Sequence, residues 1–162
     1  MTKSLVLLIV CACIGSSWCG PFEFPFHASC NIDWTFGATC QNVSQIIQAQ
    51  IQKWSGTSCG SGEKCRYEFV SFDNNILKAK HTTPVKHYAD DLTFVFKPNS
   101  SLCLVNGKSS SETWYAVLDD GTNYCNLHNL ITGSGLDKLK PYKESTSNSK
   151  CTQYSSANCE KY

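Results

Sequence analysis

Gln41-Asn-Val-Ser-Gln-Ile-Ile-Gln-Ala-Gln-Ile-Gln-Lys-Trp54 is the stretch whose reading decides the fold. Val43, Ile46, Ile47, Ile51 and Trp54 recur at helical spacing and form one apolar face. Gln45, Gln48, Gln52 and Lys53 cover the other face. Thr39 stands where an N-cap belongs, and Gly56 follows the last apolar residue. A helix with a single apolar stripe has to be laid on another apolar surface. The segments on either side of it read as strands.

Upstream, residues 31–37 alternate Ile32, Trp34 and Phe36, the period of a short first strand. Downstream, residues 65–72 and 76–81 read as strands joined through Asp73-Asn74-Asn75, residue types that tolerate turn conformations. Pro84 bends the chain or places it at an edge. Residues 92–96 alternate again. Residues 102–105 lead into Asn106-Gly107, a strong hairpin signal. That turn predicts a returning strand with Trp114, Ala116 and Leu118 on one face and Tyr115 and Val117 on the other. Residues 122–131 read as a short helix capped by Thr122 and ended by Gly133. Tyr124, Leu127, Leu130 and Ile131 make its apolar stripe, and Asn123, Asn126 and Asn129 lie away from it. Residues 133–162 hold few large apolar residues and read as a loop-rich tail tied down by Cys151 and Cys159. The expectation is an α+β fold: one disulfide-rich domain, an antiparallel β-meander with one main helix packed on it and a second, short helix.

The chain has 11 cysteines in 162 residues. Cys11, Cys13 and Cys19 lie in or beside an N-terminal apolar run that follows Lys3, the pattern of a secretion signal. Small residues allow cleavage after Ser17 or after Cys19. Cleavage after Cys19 leaves an even set: Cys30, Cys40, Cys59, Cys65, Cys103, Cys125, Cys151 and Cys159. Parity therefore favours a signal peptide over residues 1–19 and a secreted domain over residues 20–162. Pairing of sequence neighbours is the simplest guess: 30 with 40, 59 with 65, 103 with 125, 151 with 159. Two sequons, Asn42-Val-Ser44 and Asn99-Ser-Ser101, would accept N-glycans in an exported chain.

The apolar run at residues 5–14 is too short to span a membrane, and no later one is longer. Without residues 1–19 the chain has thirteen basic and thirteen acidic residues, and Arg66 is its one arginine. That balance excludes the usual nucleic-acid binder, which carries a basic excess rich in arginine.

The candidate chemistry is thin. His81 and His87 flank Pro84, with Asp90 and Asp91 close behind, but without a recognised metal-ligand spacing. In a strand, adjacent acids such as Asp90 and Asp91 point to opposite faces and make no dyad by themselves. Asp119-Asp120-Gly121 is turn chemistry. Pancreatic-type ribonucleases also come to mind, but their Cys-Lys-x-x-Asn-Thr-Phe motif is absent; Cys125-Asn-Leu-His128-Asn129 lacks its lysine. No cofactor and no metal site is implied. Lys78, Lys80 and Lys86 cluster around the middle histidines and could meet acidic glycans or simply decorate a sheet face. With 12% aromatic residues and no convergent polar constellation, the expectation is a secreted non-enzymatic binding protein for a small apolar ligand or an extracellular partner. The alternatives are a secreted hydrolase using His81 or His87 with the nearby acids, or an inhibitor or defence protein acting by surface contacts.

Overall fold

The structure, a computed structural model, describes residues 27–113 and 117–162. The expected signal peptide and the tip of the expected returning strand, Trp114 to Ala116, lie outside the described residues.

Alternation over Ser29–Phe36 (β1) turns Cys30, Ile32, Trp34 and Phe36 inward, each at most 2% exposed. The helix Cys40–Lys53 (α1) follows, with the Thr39 hydroxyl accepting from the Asn42 N–H (3.3 Å) as its N-cap. Val43, Ile47 and Ile51 seal it to the sheet at 0% exposure. Four strands then form a meander: Tyr67–Asp73 (β2), Ile76–Thr82 (β3), Ala89–Asn99 (β4) and Leu102–Ser111 (β5). Asn74 and Asn75, both at positive φ (49° and 60°), make the β2–β3 turn. The helix Thr122–Gly133 (α2) and a last strand, Tyr142–Ser145 (β6), complete the domain. The six strands form one sheet in the order β2-β3-β4-β5-β1-β6, antiparallel throughout. Four disulfides join this α+β domain. Among the described residues no helix is long and apolar enough to cross a membrane.

Four expectations need correction. Asn106-Gly107 is not a turn: both residues lie inside β5, paired with β1 and β4. The hairpin instead turns at Ser100-Ser101, where Asn99 pairs with Leu102 and Ser100 takes φ 53°. Gly107 serves a different need. A β-carbon there would overlap the Trp34 ring, which lies across the strand and stacks on Phe36 (6.5 Å) and Phe94 (6.3 Å). We expect Gly107→Ala to cost about 1–3 kcal/mol by overpacking. Urea unfolding would read this, and Trp34→Phe should restore part of the loss in the double variant; additive losses would refute the overlap.

The expected return strand is absent at Val117 and Leu118, which are outside any strand and 52% and 71% exposed.

The disulfide guess holds only for Cys59–Cys65; the other bonds are Cys30–Cys151, Cys40–Cys103 and Cys125–Cys159. Cys30 sits near one end of β1 and Cys40 lies beyond the other. Eight extended residues, at about 3.3 Å each, hold those two apart.

Thr122 is not the cap of α2. Gly121, at φ 79°, precedes the helix, and Asp119 satisfies its first turn by accepting from the N–H groups of Gly121 (3.1 Å) and Asn123 (3.0 Å).

The tail is more ordered than a loop. Leu139, Tyr142, Tyr154, Ala157 and Tyr162 pack against the core. Glu144 of β6 accepts from Trp34 Nε1 (2.9 Å), from the hydroxyls of Tyr124 (2.9 Å) and Tyr142 (3.0 Å), and pairs with His128 Nδ1 (3.0 Å). Burial opposes its charge, but these donors hold the carboxyl at about 2.

Candidate cleft at the end of the sheet

The space between the helices and the sheet is filled by side chains of the core cluster. The cleft that forms lies elsewhere, where β3 and β5 end, β4 begins and α2 starts. It measures about 450 Å³. Ser61-Gly62-Glu63 of the loop before β2, the Thr83–Tyr88 loop, Leu118–Asp120 and the C-terminal Lys161-Tyr162 form its walls. Pro84, Val85, Tyr88 and Leu118 are its apolar surface, with Val85 83% and Leu118 71% exposed. Exposed apolar side chains gathered around one depression are a feature of binding sites, and a second exposed apolar set, Phe69, Val70 and Phe72, lies on β2 outside the cleft. A shallower trough of about 300 Å³ crosses the outer sheet face, but its Asn106 and Asp33 already bond each other (2.7 Å).

The floor of the cleft is a buried polar network. Asp90, 3% exposed, accepts from Ser111 Oγ at one oxygen and from Asn126 Nδ2 at the other, both at 2.7 Å. Asn123 donates to Ser111 Oγ (3.1 Å) and to Asp119 (2.8 Å), and accepts from Ser109 (2.6 Å). Burial holds the Asp90 carboxyl above its ordinary range, although both hydrogen bonds favour its charge. Glu63 is raised too, first by burial and then by the Asp90 charge, against the pull of Lys161. Its Oε2 is buried without a hydrogen-bond partner.

Behind this floor lies His81, fully buried and cross-strand from Asp90. Its Nε2 lies 2.9 Å from the Glu63 carbonyl, which can only accept, so the proton is assigned to Nε2. Its ring lies 4.5 Å from that of Tyr67, and Nδ1 has no partner. Burial pushes the imidazole down to about 4. His87 is instead exposed on the loop between β3 and β4, at φ 56°. The two histidines therefore do not converge, and His81 offers no surface to a substrate. Asp91 points to the opposite face from Asp90 and pairs with Lys80 (3.2 Å), which also binds Glu112. Lys78 and Lys80 share the outer face of β3, away from the cleft. Lys86, the third lysine of that sequence cluster, lines the cleft instead. Among the described residues no group of three or more metal-ligating side chains gathers.

Asn123, Asn126 and Asn129, on the face of α2 away from its stripe, are all buried, at 0–2% exposure. That face is covered by the end of β5 and by the tail; Asn129 donates to the Tyr162 carbonyl (2.7 Å). Their spacing at every third residue was the one signal for this network in the sequence. Glu63 and Lys161 had none, because only the fold brings residues nearly a hundred positions apart to one cleft. No family model, curated protein or solved structure matches the chain.

Proposed function

We propose that the chain is a secreted binding protein that takes a small ligand in the cleft at the end of the sheet. The observation that carries this reading is the cleft itself: about 450 Å³, apolar at its walls and mouth, with a few fixed polar groups beneath. That combination of size and lining suits a small-molecule site. A non-catalytic role is favoured because the deepest histidine is sealed and the deepest carboxylate is already tied by two donors. Export is supported by four disulfides, which persist in oxidising compartments, and by the apolar N-terminal run. Asn42 at the start of α1 and Asn99 at the end of β4 are both exposed, as glycan acceptors need to be.

The test is a native mass spectrum of the protein secreted from eukaryotic cells, repeated after denaturation. The expected result is a small-molecule adduct lost on unfolding and lost in Leu118→Glu, with a chain starting at Gly20 and sugar on Asn42 and Asn99. A chain without adduct, from several cell sources, would remove the small-ligand reading and favour recognition of a partner protein.

A further inference from the structure

We infer that the outer face of the sheet is a second binding surface, one for a sulfated glycan chain. It lies apart from the cleft and does not depend on what the cleft binds; the choice of a glycan rests on the export proposed above. Along β3, β4 and β5 alternate residues are buried, and those between them are half-buried or exposed. The buried set packs with α1 and α2 in one core. Among the described residues no helix covers the other face.

The strand register sorts the charges on that face. At one end Glu68, Asp91 and Glu112 stand around Lys80. Beyond them come Lys78, Lys97, Lys108 and Lys143, with Lys150 from the tail, against Asp33 and Asp73. Asp33 is already met by Lys150 Nζ (2.9 Å) and by Asn106 Nδ2 (2.7 Å). Lys78, Lys97, Lys108 and Lys143 are exposed and make no ion pair among the described residues. A chain with 14 basic and 13 acidic residues thus gathers an unneutralised basic field on one sheet face. Lysines that guard a sheet against unwanted pairing belong on its edges. Lys97 and Lys108 instead sit on β4 and β5, inside the sheet.

The trough of about 300 Å³ runs through this field and is lined by Lys97 and Lys143. Lys97, Leu104, Thr35 and Lys143 form one row across β4, β5, β1 and β6. At about 4.8 Å per strand, the two lysines of that row leave the backbone about 14 Å apart. Lys78 and Lys108 stand in a second row, about 10 Å apart across Thr93. The partner that meets both rows is extended and carries many fixed anions; a compact anion would reach one lysine at a time. Nucleic acid fits less well, because bidentate phosphate contacts favour arginine, and Arg66, the one arginine, lies beside the end of α1. An anionic membrane fits less well too, since neither row holds an exposed large apolar side chain to enter it.

The experiment titrates the intact disulfide-bonded protein with a heparin hexasaccharide, the same chain chemically desulfated, a single-stranded oligonucleotide, and vesicles of phosphatidylserine and phosphatidylcholine. Affinities are read by calorimetry and the site by amide shifts in NMR. The hexasaccharide should bind about tenfold tighter than its desulfated form, weaken as salt is raised, and shift amides of β4, β5 and β6. Lys97→Gln and Lys143→Gln together should weaken it about tenfold. Lys53→Gln, exposed on α1 on the opposite side of the sheet, should change nothing. The amide spectrum of each free variant checks that the fold is kept. Equal binding of sulfated and desulfated chains, no binding, a lysine pair without effect, or tighter binding to the oligonucleotide or the vesicles would overturn the inference. The cleft is judged separately: Leu118→Glu should remove the adduct in the native mass spectrum and leave hexasaccharide binding unchanged.

Discussion

Replacing Cys30 and Cys151 together by alanine is expected to destabilise the domain by about 4–5 kcal/mol. The bond closes 121 residues of sequence, so its loss releases more conformational freedom in the unfolded chain than any of the other three would. It also joins the inward face of β1 to the tail at an isolated bridge, where both cysteines are 1% exposed. The matched control is the pair Cys59→Ala and Cys65→Ala, whose bond spans 6 residues and should cost about 2 kcal/mol on the same scaling. Denaturant unfolding of both variants measures the difference. Costs within about 1 kcal/mol of each other would show that the long bond acts by local packing and that loop closure is not its main contribution.

Acidification is the second large effect. His81 is held neutral by burial, with its imidazole pushed from 6.5 to about 4. In the unfolded chain it takes a proton below about pH 6.5, whereas in the fold it resists until about pH 4. Over that window the unfolded state binds more protons, so stability falls as pH falls. About two and a half pH units at roughly 1.36 kcal/mol each make the loss about 3 kcal/mol. Asp90 and Glu63 act in the opposite sense: both carboxyls are raised, so the fold takes up their protons first and gains stability as pH falls through their folded values. The variant His81→Phe isolates the histidine. Its stability should follow that of the parent above pH 7 with a constant offset, and the gap should then shift in the variant's favour by about 3 kcal/mol by pH 4. A gap that stays constant from pH 7 to pH 4 would mean that the buried ring is reached by protons as easily as a free one.

What could be read in advance was whatever depends on near neighbours in the chain. Thr39, Val43, Ile47 and Ile51 define α1 by spacing alone, and Asn74-Asn75 turn because their side chains tolerate positive φ. The strand–helix–meander order follows from such local patterns. What stayed hidden depends on distant partners. Gly107 looks like half of a turn until the Trp34 ring is placed across it. The asparagines of α2 look solvated until Ser109, Ser111, Asp90 and Asp119 are brought beside them. The cysteines pair across elements, and β1 keeps Cys30 and Cys40 apart. The cleft is hidden for the same reason, since its lining comes from five separate stretches of chain.

The place of β1 in the sheet sets an order of events during synthesis. Its two neighbours, β5 and β6, are both made long after it. The first strand therefore leaves the ribosome with both edges open and with Ile32, Trp34 and Phe36 uncovered, while β2, β3 and β4 can already pair among themselves. Closure waits for residues 102–111 on one side and 142–145 on the other. A nascent chain paused before residue 102 therefore carries β1 with neither of its sheet partners made.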